Sequence, residues 1–253
     1  WTVIAAQFRL APIQLMTRGH PATSMSEHID YVVVRERSLN DPECFSETVV
    51  LTDNDAFSFS LHPLYSQVPQ TVIATKPKTV KIAVPCSSYK LNSEFIQCCS
   101  DIARKSSREV EFHFFPNVSE MALLALKSQV EKLLPCVFYP TTDYLTYMNN
   151  ISQCDIQLSS FPFGNANGYM DGLLCGLPIV SMGGREVHSH ADNVMGQLAG
   201  LPEYCLADNN EEYVDGVLQL VNNDAERVAV SEKLLETDLE TLFYNTEVSS
   251  DFC

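Results

Sequence analysis

The sequence predicts an α/β protein, a Rossmann-like parallel sheet flanked by helices, preceded by a shorter segment with strands of its own. From residue 79 onward, short apolar runs alternate regularly with helical patterns. Parallel strands need crossover connections and helices usually supply them, so repeated strand–helix units imply a parallel sheet covered on both faces. Apolar residues make up 45% of the 253 and charged residues 19%, which suits a globular chain long enough to bury a core.

In chain order, residues 12–16 and 29–34 read as short strands. The second is β-branched and continuous enough to be buried. Residues 35–79 hold many Pro, Ser, Asn and Asp and read as loops, with one edge strand over 48–51. A boundary near Pro77 divides the chain into 1–76 and 77–253. The run 80–84 is a strand, and Asn92 or Ser93 caps a helix reaching about residue 105, with Ile96, Cys99 and Ala103 on one face. Next come a strand over 110–115, a helix over 119–134, a strand over 136–139 and a helix over 142–152. Residues 155–159 lead into a Gly- and Asn-rich loop, and a helix starts between Asn165 and Asn167. A strand over 178–182 and helices near 188–199, 210–222 and 225–236 complete the pattern.

A net charge of −16 argues against nucleic-acid and anionic-membrane partners, because both need clustered Lys and Arg. No apolar run approaches the roughly 20 residues that span a bilayer, and no signal-peptide pattern precedes the first strand. The nine cysteines include no CxxC pair of zinc-finger spacing and read as buried reduced thiols of a cytoplasmic protein. The chain starts at Trp1, within an apolar segment, and reads as a portion of a longer protein. Walker, GxGxxG, GxSxG and HExxH patterns are missing, which disfavours P-loop hydrolysis, dinucleotide redox chemistry, serine hydrolysis and zinc proteolysis.

In a parallel α/β sheet, ligands bind beyond the carboxyl ends of the strands. The loops of interest therefore follow residues 84, 115, 139, 159 and 182. The most informative is Phe161-Pro-Phe-Gly-Asn-Ala-Asn-Gly-Tyr-Met-Asp171. A Gly/Asn turn delivering backbone N–H groups at a helix N-terminus is a ready anion site. No Lys or Arg lies between Lys132 and Arg185, so the pattern suits a diphosphate held by backbone donors and amides. Lys90, just beyond the strand at 80–84, can meet a phosphate as a point charge or be a solvated surface lysine. Asn165, Asn167 and Gly168 would serve as an ordinary helix cap, but a cap alone does not explain two asparagines, a glycine and Asp171 one turn on. Asp171 is placed either to accept from ribose hydroxyls or to balance the helix dipole.

His188 and His190, with Asp192 nearby, lack a third metal ligand of suitable spacing. They read as a loop pressed against a ligand phosphate or sugar, or as plain surface. His20, in Gly19-His-Pro-Ala-Thr-Ser24, reads as part of a cleft-facing loop and joins Lys90 as a catalytic candidate, the alternative being a structural histidine. Asn117-Val-Ser119 and Asn150-Ile-Ser152 match the glycosylation acceptor pattern by coincidence.

Several blocks in one order resemble a known family. Phe8-Arg-Leu-Ala-Pro-Ile-Gln14, Gly19-His-Pro-Ala-Thr23, Tyr89-Lys-Leu-Asn92, Glu111-Phe-His-Phe-Phe-Pro116, Phe161-Pro-Phe-Gly-Asn-Ala-Asn-Gly168 and Glu186-Val-His-Ser-His190 are similar to the bacterial cytoplasmic N-glycosyltransferases that modify high-molecular-weight adhesins, in the same glycosyltransferase family as O-GlcNAc transferase. The resemblance runs from about residue 8 to residue 235. It implies a GT-B architecture of two Rossmann-like lobes, with 77–253 as the UDP-sugar-binding C-terminal lobe and 1–76 as the end of the acceptor-side lobe. It further implies that Lys90 binds the diphosphate, that Asn165, Ala166, Asn167 and Gly168 meet the phosphates, and that Asp171 holds the ribose. The turn from Pro140 to Asp143 would contact uracil, and His188 and His190 would border the donor. The family turn carries Thr at the position of Ala166. The implied reaction needs neither metal nor cofactor: UDP-glucose or a related UDP-hexose gives its sugar to Asn in Asn-X-Ser/Thr of a protein acceptor such as an adhesin. An O-linked transferase and a nucleotide-binding scaffold without turnover are the alternatives.

Overall fold

The computed structural model describes residues 2–17, 22–52, 59–68, 71 and 74–244, with backbone only at residues 2 and 3. A short helix, α1 (Thr2–Ala5), precedes a small parallel sheet of β1 (Leu15–Met16), β2 (Tyr31–Arg35) and β3 (Thr48–Thr52) in the order β1-β2-β3. The β-branched run of β2 is buried as expected, with Val32 only 2% exposed, while β3 is the exposed edge.

The larger sheet begins at β4 (Thr79–Val84), followed by α2 (Ser93–Lys105), β5 (Glu109–Phe114), α3 (Glu120–Val130), β6 (Cys136–Phe138) and α4 (Tyr144–Ile151). It continues through β7 (Ile156–Leu158), α5 (Ala166–Leu174), β8 (Ile179–Met182), α6 (Val187–Leu198) and β9 (Leu206–Ala207). Helices α7 (Asn210–Asn222), α8 (Asp224–Glu236) and α9 (Leu239–Phe243) follow. All strand pairs are parallel, in the order β6-β5-β4-β7-β8-β9. The order reverses between β4 and β7, and a crevice opens beyond their carboxyl ends at such a switch point.

Burial follows the strand period. Val80, Ile82 and Val84 of β4 pack with Phe95, Cys99 and Ile102 of α2 on one face of the sheet. Ala83 faces the other way, toward Met148 and Ile151 of α4. Helices therefore cover both faces, as the alternation predicts, and each buried large side chain contributes on the order of 1.5–3 kcal/mol.

Two expectations need correction, and two short elements were not expected. The buried face of α2 is Phe95, Cys98, Cys99 and Ile102, with Ile96 and Ala103 only flanking it. Helix α3 ends at Val130 rather than near 134, and a turn over 131–133 carries the chain to Pro135, which disfavours helical backbone at Leu134. The two-residue strand β9 and the five-residue helix α9 were too short to stand out as periodic patterns.

Candidate active site

A cleft of about 870 Å³ lies at the switch point. One wall comes from the loops after β4 and β7 together with the start of α5. The opposite wall includes Val32, Val33, Val34, Ser38 and Phe45 of the small-sheet segment.

The chain leaves β4 through Pro85 and makes a 3₁₀ turn over Ser88–Lys90. The Ser88 N–H donates to the Pro116 carbonyl at 3.0 Å, tying this turn to the loop after β5. Lys90 then reaches across the crevice. Its Nζ donates to the Gly164 carbonyl at 2.5 Å, lies 3.5 Å from Asn165 Oδ1 and sits 4.8 Å from the Phe163 ring centroid. An ammonium is thereby held at the N-terminus of α5, among the groups that favour an anion.

Asn165 precedes α5, but its side chain makes no cap bond. The amide instead donates to the Pro85 carbonyl, linking the ends of β4 and β7. The opening N–H groups of α5, which no intrahelical carbonyl can reach, are thus left without a side-chain cap from Asn165 and border the cleft at Ala166, Asn167 and Gly168. Gly168 is required by close approach: a Cβ there would lie 2.7 Å from the Pro85 carbonyl oxygen.

Beneath the loop sits Asp192, 2% exposed, whose Oδ2 accepts from the Asn165 N–H at 2.7 Å and from the Ser159 hydroxyl. Its Oδ1 has no partner, and burial raises the carboxyl's pKa against the pull of those bonds and of Lys90. Asp171, one turn into α5, lines the cleft and accepts from the Tyr147 hydroxyl at 3.0 Å. Burial pushes its pKa up to about 6, with the Tyr147 bond opposing the rise. At the far end, Tyr139 stacks on Phe115 at 4.5 Å and 9°, and Tyr147 meets Phe115 edge-on at 5.6 Å.

The structure brings Lys90, Pro140, Asn165, Ala166, Asn167, Gly168, Asp171 and His188 together in one cleft. The His188 ring stacks on Phe163 at 4.7 Å, and its Nδ1 lies 3.1 Å from the Glu186 carboxylate, outside hydrogen-bond geometry. Two expected residues are not brought in. His190 does not line the cleft, because α6 begins at Val187 and residues two apart on a helix point to nearly opposite sides. Asp143 does not line it either, since its carboxylate caps α4 by accepting from Thr146 N–H at 3.0 Å and Oγ1 at 2.8 Å. His20 falls outside the described residues.

Sequence reading missed the structural parts played by Phe163, Tyr147, Ser159 and Asp192. Of these only Tyr147 carries a sequence signal, as the second of two tyrosines three apart on a helix that follows a candidate loop. Among the described residues, no group of three or more His, Cys, Asp or Glu side chains is placed to hold a metal ion. No helix among them is long and apolar enough to cross a membrane.

No protein-family model matches the chain. It is 32% identical over 249 residues to the UDP-glucose:protein N-beta-glucosyltransferase of Actinobacillus pleuropneumoniae serotype 5b, covering 96% of this chain and 40% of that protein. The serotype 7 protein of the same name matches at the same identity. A probable UDP-N-acetylglucosamine–peptide N-acetylglucosaminyltransferase, SPINDLY of Solanum lycopersicum, is 27% identical over 235 residues, covering 85% of this chain and 24% of that one. Among solved structures, an O-GlcNAc transferase mutant of Thermobaculum terrenum superposes with a TM-score of 0.74 at 16% identity, over 96% of this chain and 48% of that one. A mutant of S. aureus TarM in complex with UDP and other ligands gives a TM-score of 0.54 at 17% identity, over 85% and 42%. These likenesses establish the GT-B fold class, and the chain spans 40% of the length of the glucosyltransferases it matches.

Proposed function

We propose that this chain, a homologue of UDP-glucose:protein N-beta-glucosyltransferases over 96% of its length, is the donor-binding part of an enzyme that moves a hexose from a UDP-sugar to a protein. UDP-glucose is the donor this homology favours. Residues 77–253 form the donor lobe in this reading, and 1–76 belong to the acceptor side. The observation that carries it is the convergence, at the β4/β7 switch point, of the Lys90 ammonium with the start of α5.

In the reaction, an acceptor nitrogen bonds to the anomeric carbon as the bond from that carbon to the β-phosphate oxygen breaks. UDP leaves with the electron pair, and the amide gives up a proton. Negative charge grows on the departing β-phosphate. Lys90 and the first N–H groups of α5 already face that position, so they stabilise the charge without having to reorganise. Asn165 and Asp192 hold the loop that presents those groups. Asp171 accepts from the ribose hydroxyls, and the Tyr139–Pro140 turn borders the uracil. His188, stacked on Phe163, flanks the phosphates.

The acceptor is Asn in Asn-X-Ser/Thr of a protein such as an adhesin, the transfer proceeds in the cytoplasm, and the phosphate charge is met by Lys90 and α5 without a metal. O-linked transfer to Ser or Thr is the second reading; SPINDLY is named only as a probable peptide N-acetylglucosaminyltransferase that uses UDP-N-acetylglucosamine. Calorimetric titration with UDP in EDTA, followed by UDP-glucose, UDP-galactose and UDP-GlcNAc, tests the donor assignment. Micromolar UDP binding that survives EDTA is expected; a folded chain that ignores UDP contradicts the reading. Product mapping on peptides bearing Asn-X-Ser or Ser alone separates N-linked from O-linked transfer.

A further inference from the structure

Asp171 is an unusual acceptor to place in a cleft wall, since a largely buried carboxylate resists ionisation and an uncharged acid is a poor acceptor. What stands against that resistance is a single side chain. The Tyr147 hydroxyl donates to Asp171 Oδ2 at 3.0 Å, and both residues line the cleft. The Tyr147 ring cannot swing away easily, because it packs perpendicular to Phe115, itself stacked on Tyr139.

We propose that Tyr147 is a positioning residue of the nucleotide site, whose hydroxyl keeps the Asp171 carboxylate ionised and aimed at the ribose of a UDP-sugar. This rests on the reading of Asp171 as ribose acceptor given above. A bond to the charged form favours that form, and a carboxylate with one oxygen engaged by a fixed phenol keeps the other free for a ligand hydroxyl.

The groups that face Asp171 leave the task to Tyr147. Tyr144 shares α4 with it, Cys175 follows at the end of α5, and Tyr244 comes in from beyond α9 with Tyr65 beside it. Burial pushes Tyr144 and Cys175 up to about 12 and raises Tyr65 and Tyr244 as well, so all four are neutral near pH 7. No lysine, arginine or histidine is among the groups that shift Asp171, whose carboxyl sits at about 6. Losing the Tyr147 hydroxyl removes what opposes burial, so the pKa of Asp171 must climb and its charge must fade at higher pH. Ribose recognition would then weaken from neutral pH downward.

The test is titration of UDP and 2′-deoxy-UDP across pH 5 to 8 into this chain and into its Y147F, Y144F and D171N variants. For the unaltered chain, the preference for UDP over the deoxy nucleotide, a ratio in which the titration of their shared terminal phosphate cancels, should fall along a limb as pH drops through about 6. Y147F keeps the ring against Phe115 and should lose about tenfold or more in UDP affinity at pH 7, the worth of one bond to a charged group. Its pH limb should shift upward, whereas Y144F should keep both affinity and limb. D171N should bind weakly with no limb, and should no longer separate UDP from the deoxy nucleotide. An Y147F variant with unchanged affinity and an unchanged limb overturns the proposal alone. A D171N variant that still separates the two nucleotides overturns the ribose reading beneath it, and with it the proposal. Should Y147F fail to fold, 3-fluorotyrosine at position 147, a stronger donor, should move the limb to lower pH; an unmoved limb overturns the proposal.

Discussion

The two walls of the cleft are built differently. One wall stands on a six-stranded sheet whose central strand carries Val80, Ile82, Ala83 and Val84 at full burial, and it presents Lys90, the start of α5 and Asp171. The facing wall stands on three short strands with an exposed edge, and its cleft surface includes Val32, Val33, Val34 and Phe45. The first wall gathers its charged groups at one helix start, whereas the second is mostly aliphatic, with the buried Arg35 as its charged member. Nucleotide affinity should therefore respond to the first and hardly at all to the aliphatic residues of the second.

The largest effect should come from Gly168→Val. Its Cβ and branches would collide with the Pro85 carbonyl and the Asn165 amide, prising the α5 start away from β4. A loss of about 2–4 kcal/mol in unfolding free energy is expected, within the range of overpacked buried sites, with UDP binding abolished. Chemical denaturation beside calorimetry checks both. Next is Lys90→Ala, which should cost UDP about 1.5–3 kcal/mol, as for a hydrogen bond to a charged group. A full-affinity variant would remove the basis of the contrast between the walls.

Asp171→Asn should separate affinity from stability. With its folded pKa raised to about 6 from an ordinary 3.8, Asp171 binds its proton more tightly in the folded state. The folded chain accordingly loses stability as pH rises between those values, by about 2–3 kcal/mol from this group. The amide variant should therefore melt higher than the parent at pH 7, show little difference near pH 4, and bind UDP more weakly. Thermal melts at the two pH values decide it.

Changes to the facing wall should be milder. Val33→Ala is expected to lower stability by about 1–2 kcal/mol and leave UDP affinity untouched. If it weakened UDP as much as Lys90→Ala, the division of labour would be wrong. Smallest of all, Arg185→Ala breaks an exposed pair with Asp41, the Arg185 Nε lying 2.7 Å from Asp41 Oδ2, and should cost little, because solvent screens such a pair. Equilibrium unfolding in low and high salt would show whether even that remains.

The same contrast governs what could be read from the sequence. Strands β4 to β8 were legible because strands buried on both faces run apolar, and their helices repeat every turn. The Asn165–Gly168 turn was legible because a backbone approach that excludes Cβ leaves a glycine behind. Asp192 was not, because its role is created by folding: it meets Asn165 across 27 residues, and no spacing rule marks a buried acid that supports a loop. His190 does not join His188 in the cleft lining, because a helix has already begun at Val187 where the pairing takes a loop. Asp143 caps α4 instead of lining the cleft, and the two roles favour the same residue type at the same place.

The strand order β6-β5-β4-β7-β8-β9 has a consequence for how such a protein can change over generations. The crevice between β4 and β7 exists because neighbouring connections depart to opposite sides, not because particular side chains carve it. Substitutions around its rim can alter which molecule is admitted while leaving the hollow itself intact. A lineage built on this sheet is therefore free to explore new ligands one residue at a time, and what it stands to lose by drift is selectivity long before it loses a place to bind.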